Sequence, residues 1–185
     1  MSKPDSIRNP AAKWILWGIP FICLTGSVMH FVYGWSGKLP AVGIIAPVNE
    51  SIWEHLKLTL LPTLIWWLAG YFICSKNTRI PFRQWFFSYT VSMLVCPLFI
   101  VSFYYTYTGA LGIHLLLLDI SSMFLGVIIA QLTALHVYRH TKTSTVLFAI
   151  AIAVFITVMA AFVIFTFNAP HIPAFLNTKN GQYGI

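Results

Sequence analysis

The chain has 185 residues, of which 58% are hydrophobic and only 8% charged; 11 basic and 4 acidic residues leave a net charge of +7. A soluble domain carries about 25% charge, so this composition excludes a soluble globular fold and points to a polytopic membrane protein. The surplus cations lie between apolar segments, where they anchor and orient helices and are not expected to contact nucleic acid.

Residues 1–13 form a short basic tail with Lys3, Arg8 and Lys13. Such a tail before an apolar run resembles a signal peptide. The run lasts about 20 residues, too long for a signal core, and reads as an uncleaved first span. That span covers about 14–35, with Trp14, Trp17 and Trp35 as interfacial belts. A connector at 36–48 contains Gly37, Pro40, Gly43 and Pro47; its apolar middle lies on the interface or dips inward. Span two covers about 51–74, with Pro62 expected to kink it. Lys76, Arg79 and Arg83 fill the next loop. Span three, about 84–105, carries Pro97, and a loop at 106–112 leads to span four, about 113–138. Arg139, His140 and Lys142 close span four; span five covers about 145–167, and a polar tail follows at 168–185. Cys23, Cys74 and Cys96 fall in separate spans without paired spacing and read as buried thiols.

The expected fold is therefore a single all-α membrane domain, a bundle of five transmembrane helices. Lys3, Arg8, Lys13, Lys76, Arg79, Arg83, Arg139 and Lys142 share one side, against Lys38, Lys57 and Lys179 on the other. The positive-inside rule then places the N-terminus in the cytoplasm and the C-terminus outside.

Acidic residues are scarce, and Glu50 and Glu54 both sit in the stretch Pro47-Val-Asn-Glu-Ser-Ile-Trp-Glu-His-Leu-Lys57. A charge inside the bilayer costs about 2.5–3.5 kcal/mol even on lenient scales, so this cluster needs a reason. On the same expected side lie His30, His55, His114, Asp119, Tyr104, Tyr105, Tyr107, Thr108 and His171. Structural roles compete with chemical ones. Ser51 and Glu54 have capping-box spacing, with Asn49 as an alternative cap, and Glu54 and Lys57 are spaced for an ion pair. Glu50 can be a solvated loop acid, His30 an interhelical hydrogen-bonder, and His171 plain tail. His136 and His140, beside Arg139, read as ordinary residues of the cytoplasmic end. Asp119, a carboxylate after a run of leucines, marks a polar site by default.

The blocks His30-Phe-x-Tyr-x-Trp-Ser-Gly37, Pro47–Lys57 and Tyr105-Thr-Tyr-Thr-Gly109, followed by Asp119-Ile120, resemble an uncharacterised family of small bacterial membrane proteins, a domain of unknown function. The resemblance runs from about His30 to Ile120. It implies a multi-pass protein of the bacterial plasma membrane and singles out these blocks, including Trp53, without implying an activity.

Two chemistries fit the polar layer. In the first, favoured reading, the chain is a metal-assisted hydrolase or transferase embedded in the membrane. His30, His55 and His114 would hold zinc or another divalent metal, and Glu54, Asp119 and Glu50 would supply acid–base groups. Asn49, Ser51, Trp53, Lys57, Tyr105 and Tyr107 complete the candidate site. Ceramidase-type membrane hydrolases carry H-x-x-x-H pairs; here only His136 and His140 have that spacing, on the opposite side. In the second reading the same groups relay protons or bind a cation or small solute in a transporter or channel subunit. A third leaves the layer purely structural or sensory. Beyond the lipid bilayer, the expected partners are a lipid or small-solute ligand and a second copy of the chain.

Overall fold

The computed structural model describes residues 9–76 and 78–185. Lys3 and Arg8 of the basic tail lie outside the described residues. Asn9 starts the first helix by accepting the Ala11 amide at 3.0 Å, with Pro10 in the first turn, where its missing N–H costs nothing. Helix α1 runs over Pro10–Trp35, followed by two short helices, α2 at Pro40–Gly43 and α3 at Ile52–His55. Then come α4 (Lys57–Ser75), α5 (Phe82–Leu111), α6 (Leu116–His140) and α7 (Thr145–Phe167). A 3-10 turn at Pro173–Phe175 opens the tail, and Leu176 pairs with Tyr183 in an isolated antiparallel bridge.

Five helical segments are long and apolar enough to cross a membrane: Pro10–Trp35, Ile52–Ser75, Phe82–Leu111, Leu116–His140 and Thr145–Phe167. They match the five expected spans, with three shifted ends; the first helix already begins at Pro10, inside the expected tail. Helix α5 runs on to Leu111, so Tyr104, Tyr105, Tyr107 and Thr108 are helical and not in a loop. The hydroxyls of Thr106 and Thr108 donate to the carbonyls of Ser102 and Tyr104, four residues back, which lets this polar run stay helical. Gly112, with φ +66°, ends it in the left-handed conformation, and α6 begins only at Leu116.

Helix α1 packs against α4 and α6, while α5 lies along α6 and also touches α4 and α7. In lipid, close packing and polar contacts, not the exclusion of water, hold such helices together. Trp14 and Trp66 stack at 4.4 Å, and each indole N–H donates to the other's backbone carbonyl at 3.0 Å. Gly70 makes room for this pair, since a Cβ there would meet the Trp14 indole. Between α5 and α6, the buried Gln131 amide donates to Ser92 Oγ at 3.0 Å.

The upper part of α4 is set by Pro62. Its missing N–H leaves the Leu58 carbonyl without its helical donor, and α1 closes over that carbonyl at Gly26. A Cβ on Gly26 would stand 2.6 Å from Leu58 O. Gly26→Ala should therefore push α1 off α4 and cost about 1–3 kcal/mol. Thermal melting in detergent, followed by circular dichroism, should show a clearly lowered midpoint; an unchanged midpoint would contradict this packing.

Candidate functional site

The connector between α2 and α4 is built from local hydrogen bonds. Asn49 Oδ1 accepts the Ser51 amide at 2.9 Å, and Ser51 Oγ accepts the Glu54 amide at 3.3 Å, capping α3. Only half of a capping box forms, because Asn49 has taken the Ser51 amide and the Glu54 carboxylate turns elsewhere.

That carboxylate meets Lys57. Glu54 and Lys57 are 2% and 1% exposed, and their charges lie 2.6 Å apart. Lys57 Nζ uses its remaining donors on Gly43 O at 2.7 Å and Thr166 Oγ1 at 2.6 Å. Glu54 Oε2 also accepts the Val48 amide at 3.0 Å, and Oε1 lies 3.5 Å from Thr166 Oγ1. This small network ties α3 and α4 to the connector and to the end of α7. Both members are saturated, so the geometry gives them a structural task.

Glu50, by contrast, stays at the rim with two histidines. Its carboxylate lies 3.4 Å from His55 Nε2 and 3.9 Å from His30 Nε2. The imidazoles of His30 and His55 stack at 5.3 Å. One ligating atom from each of His30, Glu50 and His55 falls within 4.8 Å of the others. His55 Nδ1 lies 2.8 Å from Ser51 O. As the carbonyl can only accept, Nδ1 carries a proton, and in the metal-free cluster Nε2 carries one as well and faces the Glu50 carboxylate. Side-chain exposures of 34%, 27% and 31% for His30, Glu50 and His55 leave the cluster open to a small ligand.

The tail, expected only as a polar end, folds back onto this cluster. Lys179 Nζ donates to Glu50 Oε1 at 2.8 Å, and Thr178 Oγ1 donates to Glu50 O at 3.3 Å. Asn49 Nδ2 donates to Gly184 O at 2.9 Å. Trp53 stacks on Phe162 at 4.6 Å and on Phe175 at 4.8 Å, pinning the tail to α3 and α7. His171 stacks on Tyr183 within the tail. Lys179 is the member of this cluster that sequence reasoning missed. No local pattern announces a contact spanning 129 positions.

The remaining candidates form a second group on α5, α6 and the turn between them. Tyr107 donates to Asp119 Oδ1 at 2.6 Å, and Tyr104 Oη lies 3.0 Å from His114 Nδ1. Tyr105 packs edge-on against Tyr104 and is largely exposed. His114 is not in the histidine–glutamate cluster, where Glu50 takes the third position instead. His136 and His140 stack on each other at the opposite end of α6.

A family model matches residues 4–185. The chain belongs to DUF6512, a family of unknown function. No curated protein and no solved structure matches it. The DUF6512 match covers all three blocks picked out in the sequence and extends through α6, α7 and the tail that carries Lys179.

Two outcomes follow for this DUF6512 protein. Removing one member of the buried pair strands the other charge, at a cost of about 3–5 kcal/mol. Lys57→Met should therefore lose most folded protein, and the double variant Glu54→Gln/Lys57→Met should recover much of it in the same melting assay. A double variant as unstable as the single one would contradict the pairing. The hydrogen bond from His55 and then that from Lys179 outweigh partial burial and hold the Glu50 carboxyl down at about 2, from an ordinary 4.5. Its stabilisation is complete above 4.5 and fades as pH falls toward about 2. With a chelator present, the melting midpoint of wild type should fall through that window, and Glu50→Gln should remove part of the fall. Superimposable profiles would contradict it.

Proposed function

We propose that this protein is a membrane-embedded hydrolase or transferase that works with a divalent metal held by His30, Glu50 and His55. The supporting observation is the convergence of these three side chains at one end of the bundle, with ligating atoms within 4.8 Å of one another. In a tetrahedral zinc site with bonds of about 2.0–2.1 Å, ligand atoms lie about 3.3 Å apart. The 3.4 Å between His55 and Glu50 matches that edge, and 3.9 Å for His30 needs only a small rotation. Two histidines and one carboxylate leave coordination positions free for water and substrate. The Ser51 carbonyl orients His55 in the way that outer hydrogen bonds commonly orient metal-bound imidazoles.

In this reading the cluster faces the outside, because the basic ends of the helices face the cytoplasm of a bacterial cell. The metal would activate a water molecule, and Asp119 with Tyr107 would exchange protons with the reacting groups. A site at the rim of a bundle, reachable from lipid and from water, favours a lipid substrate over a soluble one. Glu54 and Lys57 then hold the scaffold and take no part in the chemistry. Lys179 is the cation that neutralises Glu50 before the metal arrives.

The test is metal content after purification in mild detergent. Wild type should hold near-stoichiometric zinc or another divalent metal, and His30→Ala and His55→Ala should lose it. Asp119→Asn should keep the metal and lose activity on lipid esters or phosphoesters. Lys179→Met, which removes the competing cation, should bind metal about tenfold more tightly, the scale of one charged hydrogen bond. Absence of metal in wild type, even after metal is supplied, would contradict the enzyme reading and direct attention to solute or proton flux.

A further inference from the structure

The opposite end of the bundle is strongly basic. Lys13, Lys76, Arg79, Arg83, Arg139 and Lys142 lie there, and among the described residues no aspartate or glutamate does; Glu50, Glu54 and Asp119 are all at the other end. A cleft of about 520 Å³ opens at this end, lined by Pro81, Phe82, Arg83, Gln84, Thr143 and Phe148. One wall is cationic and polar, the other apolar.

Arg83 is held without a carboxylate. Its Nη1 donates to Thr145 Oγ1 at 3.0 Å, and its guanidinium lies over the Phe148 ring at 5.8 Å. These contacts fix the side chain at the cleft and leave most of its N–H donors free. Gln84 is anchored by donating to the Tyr138 carbonyl, next to Arg139. Arg139 Nε and Nη2 and the Thr143 hydroxyl are buried without hydrogen-bond partners among the described residues. Of these groups Thr143 lines the cleft; a hydroxyl buried without a partner is costly, and a group with several charged oxygens would relieve that cost.

We propose that this cleft binds the phosphate group of an anionic phospholipid, with Arg83 as its charged donor and the unpartnered Thr143 hydroxyl completing the contact. Pro81, Phe82 and Phe148 would lie along the lipid's glycerol and upper acyl chains. The same donors suit free phosphate, but the apolar wall favours the lipid. Basic pockets between transmembrane helices bind lipid headgroups by this logic.

Native mass spectrometry of the full chain in detergent, titrated with dioleoylphosphatidylglycerol, tests this. Wild type should retain one lipid, with diacylglycerol, which lacks phosphate, failing to replace it. Arg83→Gln should weaken retention about tenfold or more, the scale of a lost charged hydrogen bond. Arg83 is exposed, so this variant should fold normally; Thr143→Val provides the second measurement and should also weaken retention. Lys142→Gln removes the same charge at the same end but outside the cleft lining, and should change retention less than about twofold. Inorganic phosphate that displaces the lipid in wild type, and not from Arg83→Gln, would support the phosphate site and name the soluble ion as an alternative occupant. Equal retention of diacylglycerol, or equal losses in Arg83→Gln and Lys142→Gln, would overturn the proposal.

Discussion

The ion pair of Glu54 and Lys57 fixes everything around it. Two charges this deeply buried cost several kcal/mol each to take out of water, and the structure offsets that by satisfying every donor of the lysine. The partners come from far apart: Gly43 O in the connector, Glu54 beside it on α3, and Thr166 near the end of α7. Because Val48 donates to the same carboxylate, the path of the chain just before Asn49 is determined too. Glu50 is thereby brought to the rim between His30 and His55. The chemistry proposed for the rim depends on a pair that takes no part in it.

The division between Glu50 and Glu54 shows how a scarce residue type can serve two purposes within one short stretch. The two lie four positions apart, a spacing that a continuous helix would turn to one face. The structure avoids this by starting α3 only at Ile52. Glu54 then falls within the helix and points inward, whereas Glu50 belongs to the preceding turn. Asn49 and Ser51 perform that separation through two short-range hydrogen bonds. They are better understood as positioning residues than as groups that touch a substrate.

The five long helices were legible because apolar runs of this length have few alternatives to helix, and α7 at Thr145–Phe167 begins and ends where the hydropathy pattern places it. The end of α5 was not legible. Thr106, Thr108 and Gly109 read as a loop, yet threonine hydroxyls can return to the backbone four residues earlier and keep a helix intact. For the site, scarcity of charge drew Glu50, His30 and His55 into one expected layer, and their side chains do lie together. Scarcity could not separate them from His114, since depth along a helix does not say which helices touch. Here α1 lies on α4 and α6, while His114 is engaged with Tyr104 of α5. Lys179 was invisible for a related reason. Its partner is fixed by the aromatic packing of Trp53 on Phe162 and Phe175, which folds the tail back.

The two ends of the bundle thus differ in kind. One gathers every described carboxylate and a pair of stacked histidines; the other presents cations and unpaired donors. The central claim concerns the first, and X-ray absorption at the zinc edge of metal-loaded protein tests it most directly. Two imidazoles and a carboxylate are expected around the metal in wild type, and no such shell in His30→Ala or His55→Ala, which should lose the metal. A sulfur-containing shell, or a shell unchanged by both variants, would contradict it.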